Sequence, residues 1–262
     1  MKAPAASDAL AGRAILVTRP VARAARLAAL VREAGGDPVL FPTLEIVSIS
    51  KNSDSSTQID DMNVIDADLL VFVSPTAVEH AVAVFDALLP ESVKVAAVGH
   101  ATARALQARG VARVIAPEDG ADSEALAALP DMQQLAGRRV LIVRGEGGRP
   151  WLADTLRARG ATVEYLECYR RVRPDVDAAP LAARVIAGDI AAATITSREA
   201  LDNLLAMLPA EARAAVLATP MFVVHPRLAG HARALGAREV VVTGAGDDAM
   251  VRELQAFFAK VA

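Results

Sequence analysis

Residues 137–160 read GRRVLIVRGEGGRPWLADTLRARG, and residues 12–35 read GRAILVTRPVARAARLAALVREAG. The two stretches align without a gap at a constant offset, since 137 − 12 = 125. Each one has the pattern of a short buried strand, a turn that carries an arginine, an amphipathic helix and a closing glycine. The chain is therefore predicted to contain two related units. The identities include the pairs Leu16/Leu141, Arg19/Arg144, Leu27/Leu152 and Gly35/Gly160.

The remaining blocks of the repeat show how the two units divide the chain. Residues 71–85 resemble 194–208, and residues 98–115 resemble 224–241. In the middle of the chain these two blocks are followed by the strand–turn–helix stretch at 137–160. The C-terminal unit lacks this third block after them, and the matching stretch stands at the N-terminus instead. One domain is thus expected to be built from both ends of the chain, with its twin inserted between them.

This arrangement predicts an α/β fold of two doubly wound parallel-sheet domains, produced by internal duplication and joined by a two-stranded β-ladder. The discontinuous domain is expected at 1–42 plus 174–262, and the inserted domain at 51–163. The linker strands are expected at 43–50 and 164–173. In such sheets ligands bind at the carboxyl ends of the strands, and a cleft between two domains is a common binding site.

Within the inserted domain the apolar patterns predict a strand at 113–115 and a long extended segment at 162–172. A helix is expected to run from Pro75 to about Leu89. In the last third, strands should alternate with helices that begin near Ser197, Pro226 and Asp247.

Composition narrows the class of protein. The chain has 262 residues, 53% of them hydrophobic, and a formal net charge of −3, which gives no reason to expect a nucleic-acid partner. Its single cysteine, Cys168, cannot form an internal disulfide or a cysteine-based metal cluster. The N-terminal residues lack the apolar core of a signal peptide, and no apolar run is long enough to span a bilayer. We expect a cytoplasmic protein with no membrane association.

Serines precede predicted helices at two equivalent positions of the repeat, Ser74 and Ser197. A serine in this place is a favoured N-cap, which is a purely structural interpretation. Helix N-termini also bind carboxylates, so both serines are candidate substrate-binding residues. Gly99 and Thr102 lie in another predicted strand-to-helix turn, where glycine permits close backbone approach and threonine offers a hydroxyl. The alternative for that pair is an ordinary turn.

Arg19 and Arg144 occupy equivalent turns of the repeat, and Gly145 opens a glycine-rich stretch directly after the second arginine. That stretch lacks the Lys-Ser/Thr of a phosphate-binding loop. Arginine binds carboxylates with a two-pronged fork, so these three residues are candidate contacts for an anionic ligand. The alternative is that the arginines are solvated surface side chains. The sequence contains no HExxH, CxxC, GxGxxG or Ser-His-Asp arrangement, and we predict neither a metal nor an organic cofactor.

Five stretches follow one another along the chain: FVSPTAVEH (72–80), VGHATARAL (98–106), DSEALAAL (122–129), VLIVRGEGGRPWLADTLRARGATVEYLECYRR (140–171) and TITSREAL (194–201). In this order they resemble the uroporphyrinogen-III synthase family, and the likeness extends from VTRP at 17–20 to the final helix. No single stretch is specific, but the ordered set is distinctive. The family's fold of two α/β domains joined by a β-ladder agrees with the repeat. The turn at 224–229 departs from the glycine- and threonine-rich turn of some members.

The resemblance implies a lyase of haem biosynthesis that cyclises the linear tetrapyrrole hydroxymethylbilane and inverts its ring D. Loss of the ring A hydroxyl gives an azafulvene cation, which ring D attacks through its substituted carbon. The resulting spiro intermediate fragments and recloses inverted. The substrate carries eight carboxylates, which gives the arginines and helix N-termini a purpose. Positioning in a closed cleft would then be the main catalytic contribution.

The resemblance also implies a catalytic residue and a partner. The family's candidate acid is a tyrosine that matches Tyr169, whose alternative role is packing in a linker strand. Hydroxymethylbilane synthase is a possible transient partner that hands over the substrate, and the chain is expected to be a monomer. The rival interpretation is a non-catalytic two-domain module that binds or senses an anionic small molecule.

Overall fold

The computed structural model describes residues 9–49, 66–81 and 92–260. The strands are β1 (Ala14–Val17), β2 (Asp37–Leu40), β3 (Glu45–Ser48), β4 (Leu69–Phe72), β5 (Lys94–Ala97), β6 (Arg139–Gly145), β7 (Thr162–Val172), β8 (Ile190–Ile195), β9 (Met221–Val223) and β10 (Val240–Val242). The helices are α1 (Val21–Glu33), α2 (Pro75–His80), α3 (His100–Ala108), α4 (Ser123–Ala128), α5 (Trp151–Ala158), α6 (Ala179–Ile186), α7 (Arg198–Met207), α8 (Ala210–Ala218), α9 (Pro226–Ala234) and α10 (Asp247–Ala259).

The chain divides into two compact units, the first made of Met1–Glu45 with Val172–Ala262 and the second of Ile46–Arg171. The first unit holds a five-stranded sheet in the order β10-β9-β8-β1-β2. Strand β1 pairs in parallel with both β2 and β8, so residues from the two ends of the chain share one sheet. Strands β8, β9 and β10 continue the parallel pairing.

Both faces of this sheet are covered. Along β1, Leu16 packs into a core with Leu201, whereas Ile15 and Val17 pack into a second core with Leu27 on the other side. Because successive side chains of a strand point to opposite faces, an all-apolar strand such as β1 requires two cores. Mixed α/β architecture with parallel sheets is confirmed.

Helix α1 shows how the sequence positions its elements. Its buried residues are Ala24, Leu27, Ala28 and Val31, a spacing that places all four on one stripe of the helix. The helix is followed by Gly35, whose φ of +84° favours glycine. Gly160, its partner in the repeat, has the same φ of +84° after α5.

The second unit holds a sheet in the order β3-β7-β6-β4-β5. Strand β6 pairs in parallel with β4 and β7, and β4 pairs in parallel with β5. Here too the two faces are covered, since Leu70 and Phe72 enter one core while Leu69 and Val71 enter the other. Strand β6 thus lies between β4 and β7 as β1 lies between β8 and β2.

The segments expected to form a linker ladder lie within this second sheet. Strand β3 is its edge strand beside β7, and the backbone N–H of Ile49 donates to the carbonyl oxygen of Cys168 at 3.1 Å. Strand β7 covers the full extended segment expected at 162–172. The two-stranded ladder is therefore part of a five-stranded sheet.

The prediction of a strand at 113–115 is wrong, because only Ile115 pairs, through one isolated parallel bridge to Ala96. Ile115 donates to the carbonyl of Val95 and accepts from the N–H of Ala97, both at 2.8 Å. The next residue able to donate along that edge would be Pro117, which has no N–H. The ladder therefore stops after one residue.

Two helices of the structure were not predicted from the sequence. One predicted helix extends beyond the residues that the structure describes. Helices α6 and α8 lie where no helix was expected, and each has a proline at its start, Pro180 and Pro209. The helix expected from Pro75 is present as α2 up to His80, but its remainder to about Leu89 lies outside the described residues.

In the described part of the chain, no helix is long and apolar enough to cross a membrane. Within the same residues, no three His, Cys, Asp or Glu side chains are grouped closely enough to hold a metal ion.

Candidate active site

A cavity of about 210 Å³ opens at the carboxyl end of β6 in the second unit. It lies where β6 gives way to the glycine-rich stretch that leads to α5, which is the usual place for a ligand in a parallel sheet. Three arginines and one glutamate line it, so its lining carries a net positive charge. The polar and aromatic lining residues are Ser123, Arg144, Glu146, Arg149, Tyr165, Tyr169 and Arg171.

Tyr169 lies in β7 and is only 3% exposed, although it lines the cavity. Its hydroxyl oxygen is 3.4 Å from the hydroxyl oxygen of Ser74. Its ring centroid is 5.6 Å from that of His80, and the Arg171 guanidinium lies 5.8 Å from the ring centroid. Strand pairing, a neighbouring ring and a cation therefore hold the phenol at the cavity.

Gly145 is required by the Tyr169 ring. A Cβ at position 145 would lie 2.5 Å from two carbons of that ring, which is far inside van der Waals contact. The pairing of β6 and β7 shifts register at this point, where Gly145 comes opposite Tyr169. Gly145 thus serves the site by making room for the tyrosine.

Ser74 is the N-cap of α2, and its Oγ accepts from the N–H of Ala77 at 3.0 Å. This confirms the capping interpretation. The cap also fixes the serine oxygen beside the Tyr169 hydroxyl, so the local sequence signal Ser-Pro positions a polar atom of the site.

Arg144 is buried, with its side chain 9% exposed, so the interpretation as a solvated surface arginine is wrong for this residue. Its guanidinium lies 4.7 Å from the ring centroid of Tyr165, and its Nε donates to the carbonyl oxygen of Gly145 at 3.1 Å. A Cβ at Gly148 would be 2.5 Å from Nη2 of Arg144, so the glycine-rich stretch closes over the arginine.

The far end of the glycine-rich stretch is tied to α4. Arg149 donates to both carboxylate oxygens of Glu124, at 2.9 and 3.1 Å. These hydrogen bonds from Arg149 lower the pKa of the Glu124 carboxyl. Trp151, two residues further on, begins α5 and is 38% exposed.

Cys168, beside Tyr169, has no nucleophilic character. The thiol is 1% exposed and donates to the carbonyl oxygen of Arg144 at 3.3 Å. Burial raises its pKa to about 12, which keeps the thiol protonated at neutral pH. Its role is packing between β7 and α2.

Two candidate residues lie in the first unit. Arg19 is 16% exposed, so it too is no solvated surface arginine, and its Nη1 donates to the Asp247 carboxylate in a close ion pair. Asp247 is the first residue of α10, and the N-cap position is held by Gly246. Ser197 is the N-cap of α7, and its Oγ accepts from the N–H of Ala200 at 3.0 Å.

Gly99 and Thr102 are less suited to ligand contact than the sequence suggested. A Cβ at Gly99 would lie 2.8 Å from the Cβ of Ala121, so this glycine makes room for a neighbouring loop. Its φ of −177° is extended and demands no glycine. Thr102 is 3% exposed on the inner side of α3.

Sequence reasoning missed Tyr165 and Ser123, which line this cavity, and Glu167, which contacts its glycine-rich stretch. Glu167 accepts from the N–H of Gly147 at 3.3 Å and thereby holds the glycine-rich stretch. Residue alternation along β7 was no signal for the two tyrosines, because Tyr165 and Tyr169 pack into cores on opposite faces of the sheet. No local signal pointed to Ser123, because it approaches the cavity from another element.

A family model described as "Uroporphyrinogen-III synthase HemD" matches residues 25–252. The chain is also 35% identical to the uroporphyrinogen-III synthase of Escherichia coli K12 over 246 residues, which is 92% of this chain and 99% of the relative. This chain belongs to the uroporphyrinogen-III synthase family. The Salmonella typhimurium uroporphyrinogen-III synthase is 36% identical over 250 residues, again 92% of this chain and 99% of the relative.

Solved structures agree on the fold. A mutant uroporphyrinogen-III synthase from Thermus thermophilus aligns with a TM-score of 0.63 at 19% identity, covering 95% of this chain and 99% of that one. Uroporphyrinogen-III synthetase from Helicobacter pylori aligns with a TM-score of 0.57 at 11% identity, covering 94% and 99%. Membership of a synthase family favours the enzyme over the non-catalytic module.

Proposed function

We propose that this chain catalyses the reaction named by its family, closing hydroxymethylbilane to uroporphyrinogen III with inversion of ring D. The observation that carries the proposal is the family match over residues 25–252, with 35% identity across 99% of a curated synthase. The cationic cavity in the second unit supports it, because the substrate is a polycarboxylate.

Tyr169 is proposed to assist departure of the ring A hydroxyl. Its hydroxyl can donate a hydrogen bond to the leaving oxygen, which assists departure without complete proton transfer. Ser74, whose oxygen is 3.4 Å from the phenol oxygen, sets the direction of that hydroxyl. The azafulvene cation formed on departure is then attacked by ring D through its substituted carbon.

Arg144 is proposed to bind a substrate carboxylate at the cavity, with the backbone at Gly145 forming part of the same wall. A charge-assisted hydrogen bond of this kind contributes about 1.5–3 kcal/mol. Ser197 stays a proposed contact in the first unit. We leave Gly99 and Thr102 out of the site, because their surroundings are filled by the protein itself.

The decisive experiment is an isomer assay. Without an enzyme hydroxymethylbilane closes without inversion, so purified chain should change the product from the type I to the type III isomer. The two isomers are separated by chromatography after oxidation to porphyrins. If only the type I isomer forms at every enzyme concentration, the proposed function is wrong.

We further propose that the chain works in the cytoplasm as a monomer without a cofactor, taking its substrate from hydroxymethylbilane synthase. Activity retained after chelation and dialysis, and a single species in analytical ultracentrifugation, are the expected results.

A further inference from the structure

The two units differ at one position that decides where an anion can bind. Helices α4 and α10 begin at Ser123 and Asp247, and the residues around these starts align at a constant offset, since 247 − 123 = 124. The aligned stretches are Gly120–Leu126, read GADSEAL, and Gly244–Met250, read GAGDDAM.

Contacts in the structure support this equivalence. A Cβ at Gly120 would lie 2.9 Å from the Cβ of Ala125, and a Cβ at Gly244 would lie 3.2 Å from the Cβ of Ala249, its aligned partner. The second residue of each helix is acidic and forms an ion pair with an arginine. These pairs are Glu124–Arg149 at 2.9 Å and Asp248–Arg26 at 2.8 Å.

The units diverge at the start of each helix. Asp122 aligns with Gly246, but its carboxylate caps α4 by accepting from the N–H of Ala125 at 2.8 Å, so the first helical residue decides the contact with the arginine. In the first unit it is Asp247, whose carboxylate neutralises Arg19. In the second unit it is Ser123, so Arg144, the repeat partner of Arg19, receives no carboxylate from its helix. Ser123 and Arg144 line the same cavity of about 210 Å³.

Arg144 consequently keeps unused hydrogen-bonding capacity. Its Nε donates to Gly145, and the Glu167 carboxylate is 3.9 Å away, beyond hydrogen-bond distance. Among the residues that the structure describes, neither terminal nitrogen of Arg144 donates a hydrogen bond. Because Arg144 lines the cavity, its terminal nitrogens can donate to an anion that enters there.

We propose that a substrate carboxylate occupies beside Arg144 the position that Asp247 fills beside Arg19. Ser123 is then a specificity-determining residue, because its small neutral side chain leaves that position open. Arg19, already neutralised, holds its own unit together and takes no substrate carboxylate. This inference rests on the proposed function for the identity of the ligand, an acetate or propionate side chain of a tetrapyrrole.

The first test places a carboxylate in the open position. Ser123→Asp copies the first unit, and Ser123→Asn is the neutral control of the same size. Ser123 is the first residue of α4 and is only partly buried, so a polar side chain of this size should be accepted in both variants, which thermal melting checks. With uroporphyrin III as an octacarboxylate probe, Ser123→Asp should raise Kd at least tenfold and Ser123→Asn less than threefold. Equal Kd values for the two variants would overturn the proposal.

The second test removes the internal carboxylate. Asp247→Ala should lower Tm, and added acetate should restore part of the loss by binding at Arg19. Sodium chloride at equal ionic strength and the Asp248→Ala variant are the controls, and neither should show the recovery. If acetate and chloride act alike on Asp247→Ala, Asp247 does not occupy an anion site.

These outcomes are separable from the proposed function. Wild-type chain that gives only the type I isomer, while Ser123→Asp loses probe binding, would refute the reaction but support the anion position. Wild-type chain that gives the type III isomer, while Ser123→Asp binds and turns over as Ser123→Asn does, would refute the anion position alone.

Discussion

At position 145 the absence of a side chain decides where the Tyr169 ring can lie. We expect Gly145→Ala to lower turnover sharply, because the new methyl would begin 2.5 Å from the ring and displace it. Gly147→Ala is the matched control, since a Cβ there has nothing within 4 Å. The free energy of unfolding of Gly147→Ala should fall by only about 1 kcal/mol, which is typical of a side chain at positive φ, here +74°. Steady-state kinetics and urea unfolding of both variants measure this; similar turnover in the two would argue against the steric role.

Tyr169→Phe should lower kcat while leaving KM and fold intact. The change removes only the hydroxyl, and the ring that fills the space over Gly145 remains. General acid–base assistance contributes ~10²–10⁴-fold, and for so reactive a leaving group we expect the low end, about 100-fold. Wild-type turnover in this variant would reduce Tyr169 to a packing residue.

Cys168 should resist thiol reagents in the native protein. Burial raises the pKa of this thiol to about 12, so almost no thiolate is present at pH 7–8. The reagent 5,5′-dithiobis(2-nitrobenzoic acid) should react slowly with native chain and at once after denaturation. Rapid labelling without denaturant would show that the β7–α2 contact opens readily.

Some residues of the site could be predicted from the sequence. Arg144 came from the repeat, Ser74 from a helix-start signal, and Tyr169 from family resemblance. The contact of Gly145 with Tyr169 could not be predicted from the sequence, because it joins residues on two adjacent strands at a shift in register. The pair Arg19–Asp247 could not either, since its members are 228 positions apart.

At the scale of elements, the end of β1 and the start of α10 are joined by the Arg19–Asp247 ion pair. Asp247→Ala would leave the arginine largely buried without its counter-charge, and removing one partner of a buried pair costs about 3–5 kcal/mol. The side chains are 16% and 11% exposed, so we expect the lower end of this range. Asp248→Ala, which breaks the exposed pair with Arg26, should cost far less. Equal losses in urea unfolding would contradict the distinction.

The strength of the local pattern differs between elements. Strand β7 matches its expected bounds at 162–172, where β-branched and aromatic residues, rather than strict alternation, favour a strand. Helix α8 was missed, since its alanine-rich sequence carries few large apolar residues to mark a stripe. Helix α6 has Leu181 and Val185 on one buried stripe, but it is only eight residues long. Pro180 and Pro209 at their starts were the usable signal.

At the scale of the molecule, the second unit should fold alone. It has its own five-stranded sheet and two cores, all formed by residues within Ile46–Arg171 apart from the ends of β3 and β7. A fragment of residues 46–171 should therefore unfold cooperatively in circular dichroism.

A fragment of residues 172–262 is the matched comparison. It lacks β1 and β2, so β8, the central strand of the sheet, would lose its neighbour β1 and become an edge strand. We expect this fragment to show no cooperative transition until residues 1–45 are supplied. Cooperative unfolding of 172–262 by itself would contradict the proposed discontinuous domain.

Trp151 gives the chain a built-in optical probe. It is the only tryptophan in 262 residues, it is 38% exposed, and it begins the helix that follows the glycine-rich stretch. The emission colour of an indole depends on how much water surrounds it, and a porphyrin nearby accepts its excitation energy. The fluorescence of this single side chain can therefore report the binding of a porphyrin at the cavity in real time, without a label and without turnover.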